Sequence, residues 1–532
     1  MSQDARYDEE QSTARRAQVL NMSYVDTSKV QDKTLYKQYL TVPEMKQYKL
    51  VPLTADEHNL QFGITTTTSQ KTMQMLVQRF LDQQVKFSII SEAGFREYIH
   101  LYDPPKKIEY QDISITKAID ADAIKQMSNT LNQVRPDDML AFLIQQSFKL
   151  GASDIHLESR QDGARIRLRV HGVLHTVASL NEEKYRQLLS VLASSANVST
   201  SAQDDQTGQI NRSFKMATGE EVTANLRVET VPAVNGIDAV LRLFNFRPDM
   251  LSLDKLGLDT KQSNVLRDII SHPSGLVLIV GPTGSGKTTT LYSILNELNT
   301  DERKIITLED PVEYHIEGIT QVPVSSRQGQ SFADKFRAVM RLDPDVIMVG
   351  EIRDTDTAKT ALQAALTGHL VLSTYHASSA SAALTRLLDA IGENPLYASA
   401  IKLIQAQRLV RKLDDKTKKQ IQPTLEVEKH LKTIIEGIKA DVDLSFLNEA
   451  KLYAPGSSNE NPFGFTGQFA IREMLTMTPE MQKLLSRPSH DLTTQAIEEV
   501  AVKDGMLTLE QDGALQALRG KTTFEEIYRV IG

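Results

Sequence analysis

The sequence predicts an α/β chain: a parallel-sheet domain in the carboxyl-terminal half, preceded by smaller α+β domains. Three observations predict it. The aliphatic runs Leu276–Val280, Ile305–Leu308, Val346–Val349 and Leu370–Ser373 alternate with segments of helical apolar spacing, as buried parallel strands joined by crossover helices do. Between the first run and a helical pattern of Leu291, Ile294, Leu295 and Leu298 stands Gly281-Pro282-Thr283-Gly284-Ser285-Gly286-Lys287-Thr288, which fits G-x-x-x-x-G-K-[ST] in the strand-to-helix setting that pattern requires. The length, 532 residues, allows roughly three or four domains at ~100–200 residues each.

Composition narrows the function classes. A hydrophobic share of 40% with 24% charged residues is ordinary for a globular chain, and an aromatic share of only 6% predicts aliphatic cores. The 60 Lys and Arg against 68 Asp and Glu leave a net charge of −8, a field that repels phosphate backbones, and no Trp is present to stack bases. No nucleic acid is therefore expected as a partner. The absence of cysteine excludes disulfides, thiolate nucleophiles, iron–sulfur ligation and cysteine-based zinc sites. The first residues, MSQDARYDEEQSTARRAQ, contain no apolar core of a secretory signal, and no run approaches the ~20 apolar residues of a membrane span. A soluble cytoplasmic chain is expected.

Residues 1–29 are polar and weakly periodic and predict a flexible arm. Residues 30–105 carry short alternations such as Leu60-Gln61-Phe62-Gly63-Ile64 and a helical pattern of Met73, Leu76, Val77, Phe80 and Leu81, predicting a small α+β domain. A linker over 106–120 follows Asp103-Pro104-Pro105-Lys106-Lys107. A second α+β domain, 121–248, has a helix after Pro136-Asp137-Asp138 that ends near Gly151, then strands. Its alternation sends Ile166, Leu168, Leu226, Val228, Leu241 and Leu243 inward and puts Arg165, Arg167, Arg169, Arg227 and Arg242 on the other face. Spacing alone favours a solvated sheet face for these arginines. Residues 249–532 form the phosphate-loop domain, with a charged, irregular RKLDDKTKKQ segment from Arg411 and a mostly helical tail past Met474.

The glycines of 281–286 let successive backbone N–H groups turn toward one point, and the helix amino end adds positive potential. Lys287 can then reach the β- and γ-phosphates of a nucleotide and Thr288 can ligate Mg²⁺, with Thr289 continuing the first helical turn. Hydrolysis needs carboxylates on neighbouring strands. Glu351 ends the Val346–Val349 run at the sheet's carboxyl edge, although Gly350 stands where such motifs usually have Asp; Glu309, Asp310 and Glu313 cluster after the Ile305–Leu308 run around Pro311. His369 and His376 flank the last run and suit hydrogen-bonding roles better than metal ligation.

These segments together resemble the secretion ATPases of type II secretion and type IV pilus systems, P-loop NTPases of RecA/AAA+-like fold. GPTGSGKTTTL resembles their Walker A, TLEDPVEYHIEGITQ their aspartate box, MRLDPDVIMVGEIRD their atypical Walker B with glycine before glutamate, and TGHLVLSTYHA their histidine box, all in the family's order. Ser153–Ser159, SDIHLES, and the following R-x-R-x-R strand resemble the preceding, PAS-like domain of the family; the region around Val51-Pro52-Leu53 resembles, more weakly, the partner-binding amino-terminal domain of assembly-type members. The resemblance spans roughly Pro43 to the end. It implies ATP and Mg²⁺ as cofactors, Glu313 as the catalytic glutamate, Glu351 as a holder of the metal shell, and Arg227 and Arg242 as arginines that reach the nucleotide, which replaces the solvated-face reading. Arg337 and Arg341 fall where further nucleotide or interface arginines occur.

The resemblance further implies a homohexamer working at the cytoplasmic face of an inner membrane, attached through platform and assembly proteins, that hydrolyses ATP to drive pilus assembly or secretion. Many relatives carry a four-cysteine zinc module after the position of Lys412-Leu413; this chain continues Asp414-Asp415-Lys416, so no zinc is expected and packing alone must fold the insertion. That departure, with Asn235-Gly236-Ile237-Asp238 at a divergent turn, points to a type IVb or plasmid thin-pilus branch. A nucleic-acid-translocating or conjugative-transfer ATPase and a non-hydrolysing nucleotide sensor are the alternatives, the first disfavoured by charge and the second by the paired acids.

Overall fold

The expected aliphatic runs form the middle of a seven-stranded sheet in the computed structural model, which describes residues 3–30, 33–102, 121–134, 136–201, 203–215, 221–244, 251–324, 331–392, 399–458, 461, 463–487 and 492–532. The chain divides into two units, Met1–Asp112 and Ile113–Gly532. The expected linker over 106–120 and the join at Arg247-Pro248-Asp249 lie outside the described residues. Among those described, no helix is long and apolar enough to cross a membrane.

In the first unit the order is α1 (Gln3–Val19), β1 (Ser23–Tyr24), α2 (Val42–Tyr48), β2 (Leu50–Ala55), β3 (Asn59–Ile64), α3 (Gln70–Arg79), β4 (Gln84–Ile89) and α4 (Glu92–Tyr102), with the sheet ordered β1-β4-β3-β2. Thr41 and Glu44 form a reciprocal cap that starts α2. Within the arm expected over 1–29, Gln3–Val19 form the helix α1. Its docking face carries Glu10, Thr13 and the small Ala17, too little apolar side chain to give a period to read: Glu10 accepts from the Tyr24 hydroxyl and from Ser91 Oγ (2.7 Å), and Glu9 accepts from the Ala93 N–H (3.0 Å) in the first turn of α4. Helix α3 buries less than its apolar spacing predicts. Leu76 is buried, but Val77 is 46% and Leu81 82% exposed.

The second unit opens with α5 (Ala121–Gln133), a helix not foreseen, and α6 (Pro136–Lys149). A six-stranded antiparallel sheet follows: β5 (Ala152–Arg160), β6 (Gly163–Val170), β7 (Val173–Leu180), then α7 (Glu182–Ala196), β8 (Gln206–Lys215), β9 (Glu221–Ala233) and β10 (Gly236–Phe244), ordered β7-β6-β5-β10-β9-β8. Ile155, Leu157, Ile166, Leu168, Leu226, Val228, Leu241 and Leu243 are buried as the alternation requires. The opposite face is a paired array of charges. Register places Arg227 opposite Arg242, Arg242 opposite Asp154, and Asp154 opposite Arg169. Asp154 pairs with Arg242 at 3.0 Å and Arg169 at 3.6 Å, while Glu158 pairs with both Arg165 and Arg167.

The seven-stranded sheet contains β11 (Gly275–Val280), β12 (Ile305–Glu309), β13 (Thr320–Pro323), β14 (Val346–Val349), β15 (Leu370–Tyr375), β16 (Ile401–Leu413) and, past the short β17 (Lys419–Ile421) and β18 (Leu452–Ala454), β19 (Phe465–Thr476). Its order is β13-β12-β14-β15-β11-β16-β19, parallel except for the β16–β19 pair. Helices α8 (Thr260–Ser271), α9 (Lys287–Leu298), α10 (Phe332–Val339), α11 (Thr355–Leu366) and α12 (Ala380–Ile391) alternate with the strands. Strand alternation explains why β11 is continuously apolar: Leu276, Leu278 and Val280 belong to one core, Val277 and Ile279 to another on the opposite face.

The carboxyl-terminal part adds α13 (Leu425–Glu436), α14 (Pro479–Leu485), α15 (Thr494–Lys503), α16 (Leu509–Leu518) and α17 (Phe524–Ile531). The segment expected to be irregular from Arg411 is instead strand to Leu413 and again over Lys419–Ile421. Where many relatives would place a zinc module, the two ends of the segment meet through hydrogen bonds: Asn461 donates to Asp414 Oδ2 (2.9 Å) and to the Phe465 carbonyl (3.0 Å), and accepts from the Gly464 N–H. Leu431, Ile434 and Leu452 pack on Ala514, Phe524 and Ile527.

Glu526 anchors this part. It pairs with Arg411 and Arg529, and Arg411 stacks over Phe465 at 4.0 Å. Burial alone would raise its carboxyl, but hydrogen bonds from Arg529 and Arg411 hold it down to about 2. Glu526→Ala should therefore lower unfolding stability by ~3–5 kcal/mol at neutral pH, because Arg411 is left without its carboxylate. A depressed carboxyl stabilises above its unfolded pKa and loses that contribution as pH falls toward about 2. The gap in urea midpoint between wild type and variant should close on acidification; a gap constant with pH would contradict this.

Candidate functional site

The loop after β11 turns into α9 at Gly286, whose φ of 85° lies in the left-handed region open to glycine. No side chain caps α9, so the N–H groups of its first turn are left for an anion. Lys287 Nζ lies over the loop, donating to the carbonyls of Gly281 (2.9 Å) and Pro282 (3.0 Å). Burial pushes its ammonium below the usual lysine range, opposed by the charge of Glu351. The expected residues Thr283, Gly284, Ser285, Gly286, Lys287, Thr288 and Thr289 line one cavity together with Glu309, Asp310, Glu313, Glu351 and His376.

The clustered acids differ in environment. Glu309, 3% exposed, is consumed by hydrogen bonds from the Tyr292 hydroxyl, Thr307 Oγ1 (2.5 Å) and Gln321 Nε2 (3.1 Å). Glu313 reaches the solvent of the cavity, yet the protein crowded around it removes enough hydration to raise its carboxyl above the ordinary range. Arg227 and Arg242 of the same chain oppose that rise by their charge. Their own ion pairs are with Glu229 and Asp154, each at 3.0 Å.

Glu351 pairs with Arg353, and His376 Nε2 stands 3.6 Å from its Oε2. Arg353 also lies 3.8 Å from Asp310, so one guanidinium spans two of the acids. The glycine before Glu351 has a steric reason. A Cβ on Gly350 would stand 3.1 Å from the Leu308 carbonyl, because the ends of β12 and β14 converge there. Ser373 and Thr374 hold the same corner by donating to the carbonyls of Val349 (2.7 Å) and Gly350 (2.6 Å). The sequence reading assigns no role to Arg353, Ser373 and Thr374, although they lie inside the motifs it marks, nor to Gln407, which lies outside them.

Not every expected residue comes together. His369, at the other end of β15, bonds the Ala364 carbonyl at 3.1 Å and is remote from the cavity lining. Arg337 pairs with Asp334 on α10, and Arg341 is exposed; neither lines the cavity.

Residues 133–529 match the model of the type II/IV secretion system protein family. The chain belongs to that family. Type II secretion system protein E of Xanthomonas campestris is 38% identical over 424 residues, covering 80% of this chain and 71% of that protein. The type IV pilus assembly ATPase PilB of Pseudomonas aeruginosa is 31% identical over 522 residues, covering 97% and 89%. Among solved structures, the Legionella pneumophila ATPase DotB aligns with a TM-score of 0.54 at 23% identity over 74% of this chain and 95% of that one, a likeness of fold. Family membership and the phosphate-loop fold make this chain an ATPase of the secretion family.

Proposed function

We propose that this ATPase is a homohexameric motor, attached through partner proteins to the cytoplasmic face of an inner membrane, where it drives assembly of a type IV pilus or type II-like secretion. The observation that carries the mechanism is the convergence of Glu313 and Glu351 on one phosphate-loop cavity, with the arginine-bearing sheet of the second domain placing Arg227 and Arg242 near Glu313. Lys287 and the loop N–H groups bind the phosphates. Glu313 orients and deprotonates the attacking water, and Arg227 and Arg242 supply positive charge as negative charge builds on the γ-phosphate. The Thr288 hydroxyl and the Glu351 carboxylate are hard oxygen donors that suit Mg²⁺, which when bound neutralises phosphate charge.

The resemblance to a relative named for pilus assembly extends over more of this chain than that to the type II proteins, since its alignment includes the amino-terminal region. The acidic chain disfavours the nucleic-acid alternative. ATP turnover by the purified protein should require Mg²⁺, be unchanged by single-stranded DNA, and vanish in Glu351→Gln while nucleotide binding persists. A salt-sensitive, several-fold activation by DNA would instead establish a translocase.

A further inference from the structure

The phosphate loop is held from behind by a residue of another strand. Register aligns Ala406 of β16 with Val280 of β11, so Gln407 stands beside the start of the loop. Its side chain is 1% exposed and is not part of the cavity lining. Nε2 donates to the Ser285 carbonyl at 2.7 Å, while Oε1 accepts from Thr290 Oγ1 of α9 at 3.1 Å and from Gln405 Nε2 at 3.0 Å. One amide thus ties the loop, the first turn of α9 and the sheet to each other.

The bond to Ser285 has a directional consequence. In a trans peptide the carbonyl and the following N–H point in opposite directions. With the Ser285 carbonyl turned back to Gln407, the Gly286 N–H is turned away from β16, toward the cavity that Ser285 and Gly286 line. We propose that Gln407 is a positioning residue for the nucleotide: it never touches the phosphates, but by fixing the Ser285–Gly286 peptide it aims the Gly286 N–H at them. This rests on the phosphate loop being the nucleotide site. A donor aimed at the phosphates in ground and transition states alike contributes uniform binding, which appears in KM and not in kcat.

Two variants of the full-length protein test this by titration with a fluorescent ADP and by steady-state kinetics. Gln407→Leu keeps volume and removes all three hydrogen bonds; ADP affinity should fall about tenfold, KM for ATP should rise in parallel, and kcat should stay within about threefold. Gln407→Glu keeps the acceptor for Thr290 and Gln405 but loses the donor to Ser285 when ionised. Burial raises a carboxyl's pKa, and the protonated acid can donate to Ser285 again. Its ADP affinity, taken as a ratio to wild type at the same pH, should be low at about pH 8.5 and recover toward one at about pH 6. A merely structural role does not produce that recovery, and this measurement decides the matter should the leucine variant not fold. ADP affinity within twofold of wild type in a folded Gln407→Leu protein, or a ratio for Gln407→Glu that is flat with pH, overturns the proposal. Lys287→Ala separates the two levels: if it binds ADP as wild type does, the nucleotide-site reading fails; if it loses ADP while both Gln407 variants keep it, only the role of Gln407 fails.

Discussion

Alanine at Lys287 is expected to lower kcat by about 10²–10³-fold or more while leaving the fold intact. Lys287 supplies the side-chain cation of the loop and lines the cavity in which the proposed mechanism places the β- and γ-phosphates. Its loss removes that neutralisation in a half-buried cavity, where a charge acts more strongly than in water. Stability should be little changed, because Lys287 bonds only the Gly281 and Pro282 carbonyls of its own loop and keeps its charge against a desolvation cost that depresses its pKa. Single-turnover and steady-state hydrolysis alongside thermal unfolding check both halves. Near-wild-type turnover in a folded variant would remove the phosphate loop from the mechanism.

The double variant Arg227→Ala, Arg242→Ala is expected to lose ~10³–10⁵ in kcat with a much smaller change in ATP affinity, since a cation opposing charge that develops in the transition state acts mainly on the chemical step. A second signature follows from Glu313. Burial raises its carboxyl and the two arginines hold it down. Removing the cations removes the lowering contribution, so the carboxyl rises further and the acid limb of the kcat profile moves to higher pH. An unchanged kcat, or an acid limb that moves down, would sink the proposed role. The proposed role takes the two arginines as serving the nucleotide of their own chain, since it is their charge that opposes the rise of the Glu313 carboxyl. Mixing Arg227→Ala with Lys287→Ala protein should therefore leave activity absent; recovered activity would show that the arginine serves a neighbouring subunit.

Much of the core domain was legible before any coordinates. The four aliphatic runs became β11, β12, β14 and β15 nearly to the residue, because a strand covered on both faces must be apolar at every position, and such a run has few other readings. The loop of 281–288 was equally plain, since its glycines, lysine and hydroxyl fit a spaced pattern set between a buried strand and a helix. Helix α1 was not legible. It docks through Glu9, Glu10 and one small apolar residue, Ala17, and so few apolar positions leave no period in the sequence.

The amino acids by themselves thus determined the four central strands of the sheet, the phosphate loop, the presence of acids at two neighbouring strand ends and, through the absence of cysteine, that no thiolate could organise the insertion after Leu413. Tertiary structure alone decided which acids are tied up by hydrogen bonds. Glu309 and Glu313 share a cluster and a residue type, but Glu309 is bound by Tyr292, Thr307 and Gln321 from three separate segments, whereas Glu313 faces the cavity within reach of the charges of Arg227 and Arg242. It also decided that Gln407 stands behind Ser285, a pairing 122 positions apart in the chain. The reason is physical: periodicity and motif spacing encode which face of its own element a side chain takes, while hydrogen-bond partners and local fields depend on which distant elements the sheet order brings alongside.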